Sequence, residues 1–318
     1  MSVPMYYRKR LLGVKAETTR GTYDAPGNSD WIEVWDLELS LDPQAEDLAL
    51  FRNSLTRPLS GLIMGPIYGT IAFKIFAMVG INADAAAYIS GITPLLQASH
   101  LQYDANATNI IPWHDADKGV SMVVHVDGVS QALRGCAGKM ILVMEAGKVP
   151  YWDCSFTGVY TGATETTATV HAIFAPKKTV RTSAAAFTLA DGTYTYTSCL
   201  RELRLDTGYT VVPYPCSNAA QGIAYFAHSG DYKPTVAITC GKLTKSDGTN
   251  YEAEMDAAFR ANTAVTAVVA YELQAAGVIE SYNAVDDNGW LAHEMTIDLR
   301  ADIDEKEWQV TVTTAPVP

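Results

Sequence analysis

The 318 residues exceed the usual size of one compact core, so the length favours two domains. Hydrophobic residues make up 48% of the chain and charged residues 18%, a balance typical of a folded protein and not of a disordered one. Acidic residues outnumber basic ones and give a formal net charge of -12, which argues against a protein that binds nucleic acid electrostatically.

Targeting and cysteine signals indicate a chain that is assembled in the cytoplasm. The opening MSVPMYYRKRLLGVKAE lacks the apolar run of a signal peptide, and no stretch approaches the roughly 20 apolar residues of a membrane span. The five cysteines are scattered without CxxC spacing, so we expect reduced thiols and neither a disulfide framework nor a zinc site. We therefore expect no membrane insertion.

In chain order, the first half predicts strands around one short helix. The strand LELSLD (37–42) is followed by a long connection (43–67) and by the strand GTIAFKIF from Gly69. TPLLQAS then predicts a helix with Thr93 as its N-cap and Pro94 in its first turn. VSMVVHV from Val120 and a hairpin complete the half, and the alternation around Trp152 predicts a strand with one buried face.

The second half repeats this order. LRELRLD (200–206) echoes LELSLD at a constant separation of 164 positions, as the equivalent residues show: Leu39 with Leu203, Asp42 with Asp206, and Tyr68 with Tyr232. Further matches follow in the same order: GTIAFKIF with PTVAITC, the helix with NYEAEMDAAFRA, VSMVVHV with VTAVVAY, and Trp152 with Trp308. One match could arise by chance, but the shared order predicts an internal duplication.

The predicted fold class is therefore mainly β, with two tandem β-sandwich or partial-barrel domains that each carry one short α-helix. Asp-Gly and Asn-Gly pairs between the strands predict hairpins and loops. The boundary is expected in the proline-containing basic stretch 168–187, which gives domains 1–180 and 181–318.

Several stretches form a series that runs in order over nearly the whole chain: LLGVKAETTRGTY (11–23), VWDLELSLD leading into LFRNSLTRPLSG, the run from Val126 through VPYWDCSFTGVY, and the segment from Phe187 to VVPYP. Together these stretches resemble the tail tube proteins of bacteriophages. The resemblance implies two tail-tube-like domains in a structural virion protein, whose rings stack into a conduit for DNA during ejection. A duplicated subunit would form such a ring from three chains, a homotrimer with approximate sixfold symmetry.

The resemblance also implies partners and a location. The chain would assemble with itself in the host bacterial cytoplasm, meet tape-measure and tail terminator proteins, and reside in the virion tail. DNA would pass through the lumen without specific binding, since each phosphate contact would retard it. The lumen candidates are the polar positions of the repeated strands: Glu38, Ser40, Asp42, Glu202, Arg204 and Asp206. The alternative is that these are ordinary solvent-facing positions, and Arg204 departs from an acidic pattern.

The connection 43–67 is a second candidate, because a loop of this length is uncommon unless it has a task. In the family the equivalent loop reaches toward the next ring. The inter-ring candidates are Asp47, Leu48, Leu50, Phe51, Arg52, Leu55 and Arg57. The alternative is a surface loop that packs on its own domain.

No constellation predicts catalysis or a cofactor. The chain has no nucleophile elbow, phosphate loop or HExxH helix, and HDADKG (114–119) lacks the later acidic ligand of a calcium loop. We therefore expect neither an enzyme nor a metal site. A different function remains open: a tandem β-sandwich that binds carbohydrate or a host surface through exposed aromatic residues, for which 17 tyrosines leave room.

Overall fold

The architecture is that of a computed structural model, which describes most of the chain in sixteen segments. These are residues 10–47, 62–77, 80–81, 85–105, 108–113, 118–126, 128–165, 173–174, 186–191, 195–219, 222–245, 259–261, 264–269, 273–287, 290–300 and 307–313. No helix among them is long and apolar enough to cross a bilayer. The predicted boundary between residues 180 and 181 lies outside these segments.

The described chain is mainly β, as the sequence predicted. The first half contains β1 (Arg10–Ala16), β2 (Trp31–Ile32), β3 (Trp35–Asp47), β4 (Leu62–Phe76), β5 (Gly80–Ile81), α1 (Ala85–Gln97), β6 (Leu101–Asp104), β7 (Asn109–Pro112), β8 (Val120–Val126), β9 (Val129–Glu145), β10 (Tyr151–Glu165) and β11 (Ile173–Phe174). The second half contains β12 (Ala186–Ala190), β13 (Thr195–Asp206), β14 (Tyr209–Pro215), β15 (Ile223–Tyr232), β16 (Thr235–Cys240), β17 (Thr244–Lys245), β18 (Ala264–Val269), β19 (Leu273–Asp287), β20 (Trp290–Leu299) and β21 (Trp308–Thr313).

The same antiparallel strand order occurs twice. In the first half the ladder runs β1-β8-β9-β10-β4-β3, and in the second it runs β12-β18-β19-β20-β16-β13. Six strands joined in one order across two halves are a repeat of topology, which composition alone does not produce.

The ladders correct two details of the predicted alignment. Asp42 pairs with Tyr68, and Asp206 pairs with Thr235, so the counterpart of Tyr68 is Thr235 and not Tyr232. The match of Trp152 with Trp308 is also wrong. Trp152 lies in β10 between β4 and β9, whereas Trp308 lies in β21, which pairs with β19 and β7 outside the repeated order.

The helix of the first half starts earlier than the capping residues suggested. It spans Ala85–Gln97, so Thr93 and Pro94 lie near its end, where the Thr93 hydroxyl donates to the carbonyl of Ile89. Its alanines and apolar face outweigh the local capping signal, because packing against the core decides short helices. Of the predicted second helix only residues 259–261 are described: Phe259 and Arg260 are helical, and Ala261 is in a turn.

The two repeats join edge to edge through β9 and β13. The resulting main sheet runs β3-β4-β10-β9-β13-β16-β20-β19, four strands from each half. One hydrophobic core extends through both halves along its apolar face, and α1 packs there through Tyr88, Ile92 and Leu95.

The connections at one end of the main sheet form two arms of similar length. The first arm is the segment 43–67, which comprises the end of β3, the start of β4 and the residues between them. The second arm is the segment 207–234 between β13 and β16. In the first arm the β3–β4 ladder continues to the pair of Asp47 with Leu62. In the second arm the ladder ends at Asp206, and β14 and β15 form a separate two-stranded sheet.

Trp308 tests whether the two halves unfold as one unit. Its side chain is buried, and its strand pairs with β19 of the second half and β7 of the first. We expect Trp308→Ala to lower the free energy of unfolding by about 3–5 kcal/mol. In urea titrations, tryptophan fluorescence and far-UV circular dichroism should give one coincident transition for both proteins. The exposed control Val212→Ala should change stability by less than ~0.5 kcal/mol, and two separate transitions would contradict a shared core.

Candidate functional site

The junction between β9 and β13 is the contact that joins the repeats. Its register places Leu203 opposite Met144, Leu205 opposite Leu142, and Asp206 opposite Ile141. The amide of Ala146 donates to the carbonyl of Arg201 at 2.8 Å and extends the ladder. Across the polar face, the Lys139 ammonium contacts the Asp206 carboxylate at 2.6 Å. The junction is therefore an ordinary antiparallel ladder, with backbone hydrogen bonds and a buried leucine row.

The opposite edges of the same sheet lack this pairing in the described chain. There β3 pairs with β4 alone, and residues 279–287 of β19 pair with β20 alone. By the repeat, β3 corresponds to β13, and this part of β19 corresponds to the part of β9 that receives β13. The two outer edges of the main sheet are therefore equivalent to the two sides of the internal β9–β13 junction.

Two leucines of β3 are more exposed than their counterparts in β13, which has a neighbouring strand on both sides. Leu205 is fully buried in the junction strand, whereas its counterpart Leu41 is 38% exposed. Leu203 is likewise fully buried, whereas its counterpart Leu39 is only half-buried. An unpaired edge with exposed leucines is a site at which another strand can add, because it offers free backbone groups and apolar area together.

All six lumen candidates lie on the polar face of the main sheet. Glu38, Ser40, Asp42 and Arg204 are exposed, while Glu202 and Asp206 are half-buried. Residues directly opposite in a ladder share a face, so the register extends this assignment across the sheet. Outside the second arm, the ladder-paired charged residues on this face whose side chains are described are eight carboxylates and four cations: Glu38, Asp42, Glu145, Asp153, Glu202, Asp206, Glu294 and Asp298, with Lys74, Arg134, Lys139 and Arg204. The face is acidic despite Arg204.

The predicted inter-ring residues fall in the first arm. The backbone of Asp47 ends β3, but its side chain lies outside the described residues. The other six, Leu48, Leu50, Phe51, Arg52, Leu55 and Arg57, also lie outside them. The described part of the arm is the hairpin ladder that leads to this tip.

The second arm folds back on the first half, which the sequence analysis missed. Ile223 and Phe226 pack on Ala137 and Val159, and Tyr68 meets the Phe226 ring edge-on at 5.1 Å between centroids. The arm therefore covers the end of the polar face next to β4 and β10. The sequence offered one indication of the second arm: the connection between β13 and β16 is nearly as long as the first arm.

Polar contacts fix the backbone of this arm. The Arg134 guanidinium donates to the carbonyl of Ala224 at 3.0 Å, and Arg20 donates to the carbonyl of Phe226 at 2.8 Å. Glu17 holds the receiving loop, because its carboxylate accepts from the amides of Gly21 and Gly135, both at 2.6 Å. Burial raises the pKa of Glu17, and these hydrogen bonds oppose that rise.

An aromatic cluster holds the base of the arm. A ring nitrogen of His228 lies 2.7 Å from the carbonyl of Gly138; since a carbonyl only accepts, this nitrogen carries the proton. The His228 ring packs against His100 and Tyr209, with centroids 4.1 and 5.2 Å away. Burial lowers the pKa of His228, and the nearby positive charge of Arg20 lowers it further, while the bond to Gly138 acts in the opposite direction.

The described residues contain no candidate metal centre. Among them, no group of three or more His, Cys, Asp or Glu side chains is arranged to hold a metal ion. Most of the HDADKG stretch lies outside the described residues. The features that remain in the described chain are two sheet edges equivalent to the two sides of the internal junction, an acidic face and two arms.

Comparisons with known proteins add no relative to this picture. The chain matches no protein-family model, and no curated protein is significantly similar to it.

Gly208 lies where the second arm leaves β13, and substitution of this glycine tests whether the turn holds the arm in place. It has a φ of +77°, and a Cβ there would collide with the backbone of Lys233 and Pro234. We expect Gly208→Ala to destabilise the folded arm by ~1–3 kcal/mol and to expose it to protease. The matched control is Gly230→Ala, where a Cβ meets nothing within 4 Å. Limited proteolysis read by mass spectrometry should show faster cleavage within 207–234 for the first variant only. Equal cleavage rates would contradict this role.

We expect the free energy of unfolding to fall in mild acid because of His228. Its folded pKa is lowered, so below the ordinary value of 6.5 the unfolded chain binds a proton that the folded chain rejects. The urea midpoint should therefore fall as pH drops from 7.5 to 5.5. His228→Gln keeps a donor for Gly138 and should flatten this dependence. Glu17, whose pKa is raised, acts in the opposite direction above pH 4.5 and is the same in both proteins. Parallel pH curves for the two proteins would contradict the assignment.

Proposed function

We propose that the protein is the tail tube subunit of a bacteriophage and forms rings that stack into a conduit for DNA. The observation that supports this most directly is the pair of sheet edges. The β9–β13 junction exists once inside the chain, and the strands equivalent to its two sides, β19 and β3, each have one edge with no partner among the described residues, at opposite ends of the main sheet. A second copy supplies the missing neighbour on either side.

The repeat specifies the register of this contact between chains. Because Asp206 lies opposite Ile141 in the junction, the equivalent pair is Asp42 of one chain with Val285 of the next. Leu41 then occupies the position of Leu205 and loses its exposure. The interface is heterologous, since one surface meets a different one, and such contacts continue around a ring until it closes.

Three chains close the ring if the internal and external junctions have the same geometry. Each chain gives the main sheet eight strands, so three chains give 24. At ~4.8 Å spacing and ~40° tilt, such a barrel has a backbone diameter of about 48 Å, and inward side chains leave a bore on the order of 38 Å. That bore admits one DNA duplex. Closure also removes the free edges that would otherwise aggregate.

Charge supports the orientation of the sheet in this ring. The leucine face carries the core and α1, so the acidic face is the one that turns to the bore. Three chains of net charge -12 carry -36. An acidic wall repels phosphates and binds few of them, which allows transit without retention. In this proposal the lumen candidates line the bore, DNA passes without specific binding, and no catalysis is required.

Stacking would use the arms, and the tube would meet other tail components at its ends. The first arm continues the β3–β4 ladder beyond the end of the main sheet, and its tip holds the inter-ring candidates. Tape-measure protein inside the tube and a terminator at its end are the partners that such a tube requires. The location that follows is the virion tail, after assembly in the host cytoplasm.

A cross-strand disulfide tests the ring interface. In a background with Cys199→Ser and Cys216→Ser, which removes the accessible thiols, we combine Asp42→Cys with Val285→Cys. Directly paired residues have Cα atoms ~4.5–5.5 Å apart, within the range that a disulfide spans. Mild oxidation should link chains, and denaturing gels without reductant should show species of up to three chains, about 103 kDa from three chains of 34.4 kDa.

The matched control is the internal junction. Ile141→Cys with Asp206→Cys should close within one chain and leave the mass unchanged. Electron microscopy of the unmodified protein should show rings or tubes. Monomers in the first variant, with closure in the control, would contradict the interface, and a six-chain product would contradict the threefold count.

A further inference from the structure

An aromatic cleft of about 550 Å³ lies at the end of the main sheet opposite the arms. Its walls are Trp35 at the start of β3, Phe76 at the end of β4 and Tyr151 at the start of β10. Trp35 contacts both other rings, with centroids 4.2 Å from Phe76 and 5.9 Å from Tyr151. Apart from the exposed Glu33 and Lys148, the cleft is lined by aromatic and aliphatic groups. All three rings are only half-buried, so the cleft presents unused apolar area.

The first arm points away from this cleft. β3 begins at Trp35 beside the cleft and ends at Asp47, where it pairs with Leu62 at the base of the arm tip. Twelve residues of strand separate Trp35 from Asp47, a span of about 40 Å. Both ends of the tip, residues 48–61, are joined to the β3–β4 ladder. The tip can therefore extend from the end of this ladder by at most half of its contour length, about 24 Å. The tip therefore cannot reach the cleft of its own chain.

The hairpin ladder of the first arm and the cleft both belong to the first repeat. In the second repeat, the arm folds back onto the first half and offers no projecting hairpin. At the cleft positions of the second repeat, Cys199 corresponds to Trp35 and Leu243 corresponds to Phe76, so the aromatic pair is missing there. Each chain thus has one arm of this kind and one cleft of this kind, at opposite ends of the same sheet.

We infer that the cleft binds the tip of the first arm from another copy of this chain, stacked along the axis of the sheet. The inference rests on the proposed stacking of rings and adds the receiving site. The tip sequence DLALFRNSLTRPLSGL (47–62) supplies the matching chemistry. Phe51, Leu50 and Leu55 suit an aromatic pocket, and Arg52 or Arg57 suits the carboxylate of Glu33 at its rim. Three arms and three clefts per ring would then pair one to one.

A glycan is the competing occupant, and the lining argues against it. Sugar recognition needs several fixed hydrogen-bonding groups beside an aromatic platform. Here the two charged groups lie on exposed side chains, and beside them the lining side chains offer only the Tyr151 hydroxyl and the Trp35 indole N–H. The test therefore includes both ligands.

The first experiment measures binding to the unassembled protein, so it does not depend on ring formation. The probe is a synthetic peptide of residues 47–62, titrated by calorimetry against the purified chain. We expect saturable binding that Trp35→Ala and Phe76→Ala each weaken at least tenfold, while Tyr214→Ala, an aromatic residue on the second arm with 50% exposure, leaves it unchanged. A peptide with Phe51→Asp should bind at least tenfold more weakly. Peptide binding that is absent, or insensitive to Trp35→Ala, overturns the inference, as does maltoheptaose binding in its place.

The second experiment separates this inference from the ring. In Trp35→Ala and, independently, in Phe51→Asp, oxidation of the Asp42→Cys and Val285→Cys pair should still give three-chain rings. Electron microscopy should then show single rings and not long tubes. Long tubes in both variants would overturn the inference and leave the ring proposal intact. Absence of rings in the unmodified protein would remove the ring proposal, while the peptide titration would still decide the cleft.

Discussion

The constraint on which this structure depends is that every β-strand has two edges, and each edge carries backbone donors and acceptors that need partners. The chain satisfies one such pair of edges internally, where β13 of the second repeat adds to β9 of the first. Among the described residues, the same construction leaves one edge of β3, and one edge of residues 279–287 of β19, without a partner at the ends of an eight-stranded sheet. In the proposed ring, further copies of the chain would supply the missing strands.

The side chains follow from this backbone arrangement. Alternation along β3 and β13 sends leucines to one face and carboxylates to the other. On the leucine face, burial depends on having a neighbour strand, which is why Leu205 is buried and Leu41 is not. On the other face, carboxylates outnumber cations, so the surface that a closed ring would turn inward is the one that repels a polyanion. The charge of this face and the proposed assembly thus both follow from one alternating pattern.

The two repeats differ most in their arms, and the difference has a local cause. After Asp206, Thr207 and Gly208 turn the second arm away from the ladder, and Arg134, Arg20 and the His228 cluster hold it on the first half. After Asp42, the first arm continues as a hairpin to Asp47 and Leu62. Two connections of similar length thus differ: the second packs on the first half, whereas the described part of the first continues its own ladder. This asymmetry would make the proposed sixfold symmetry only approximate.

Some of this architecture was determined by the sequence alone. Period-two alternation specified strands and their polar faces, the recurrence of one strand after 164 positions indicated a duplication, and the composition specified an acidic protein. These features are local or additive, so they can be deduced without knowing which segments meet. The helix was predicted in the right region but with the wrong start, because the Thr93-Pro94 pair resembles a cap that the packing of Ala85–Gln97 overrides.

Only the tertiary structure decided which edges remained free, how Tyr68 and Trp308 are placed, and where each arm lies. The register of a ladder depends on pairing between distant strands, and the apparent match of Trp152 with Trp308 shows that similar residues can occupy unrelated strands. The aromatic cleft combines residues from three separate strands, and the burial of the second arm depends on contacts nearly 100 positions away along the chain. Contacts of this kind are set by how the strands assemble, and that arrangement is not encoded in any single stretch of sequence.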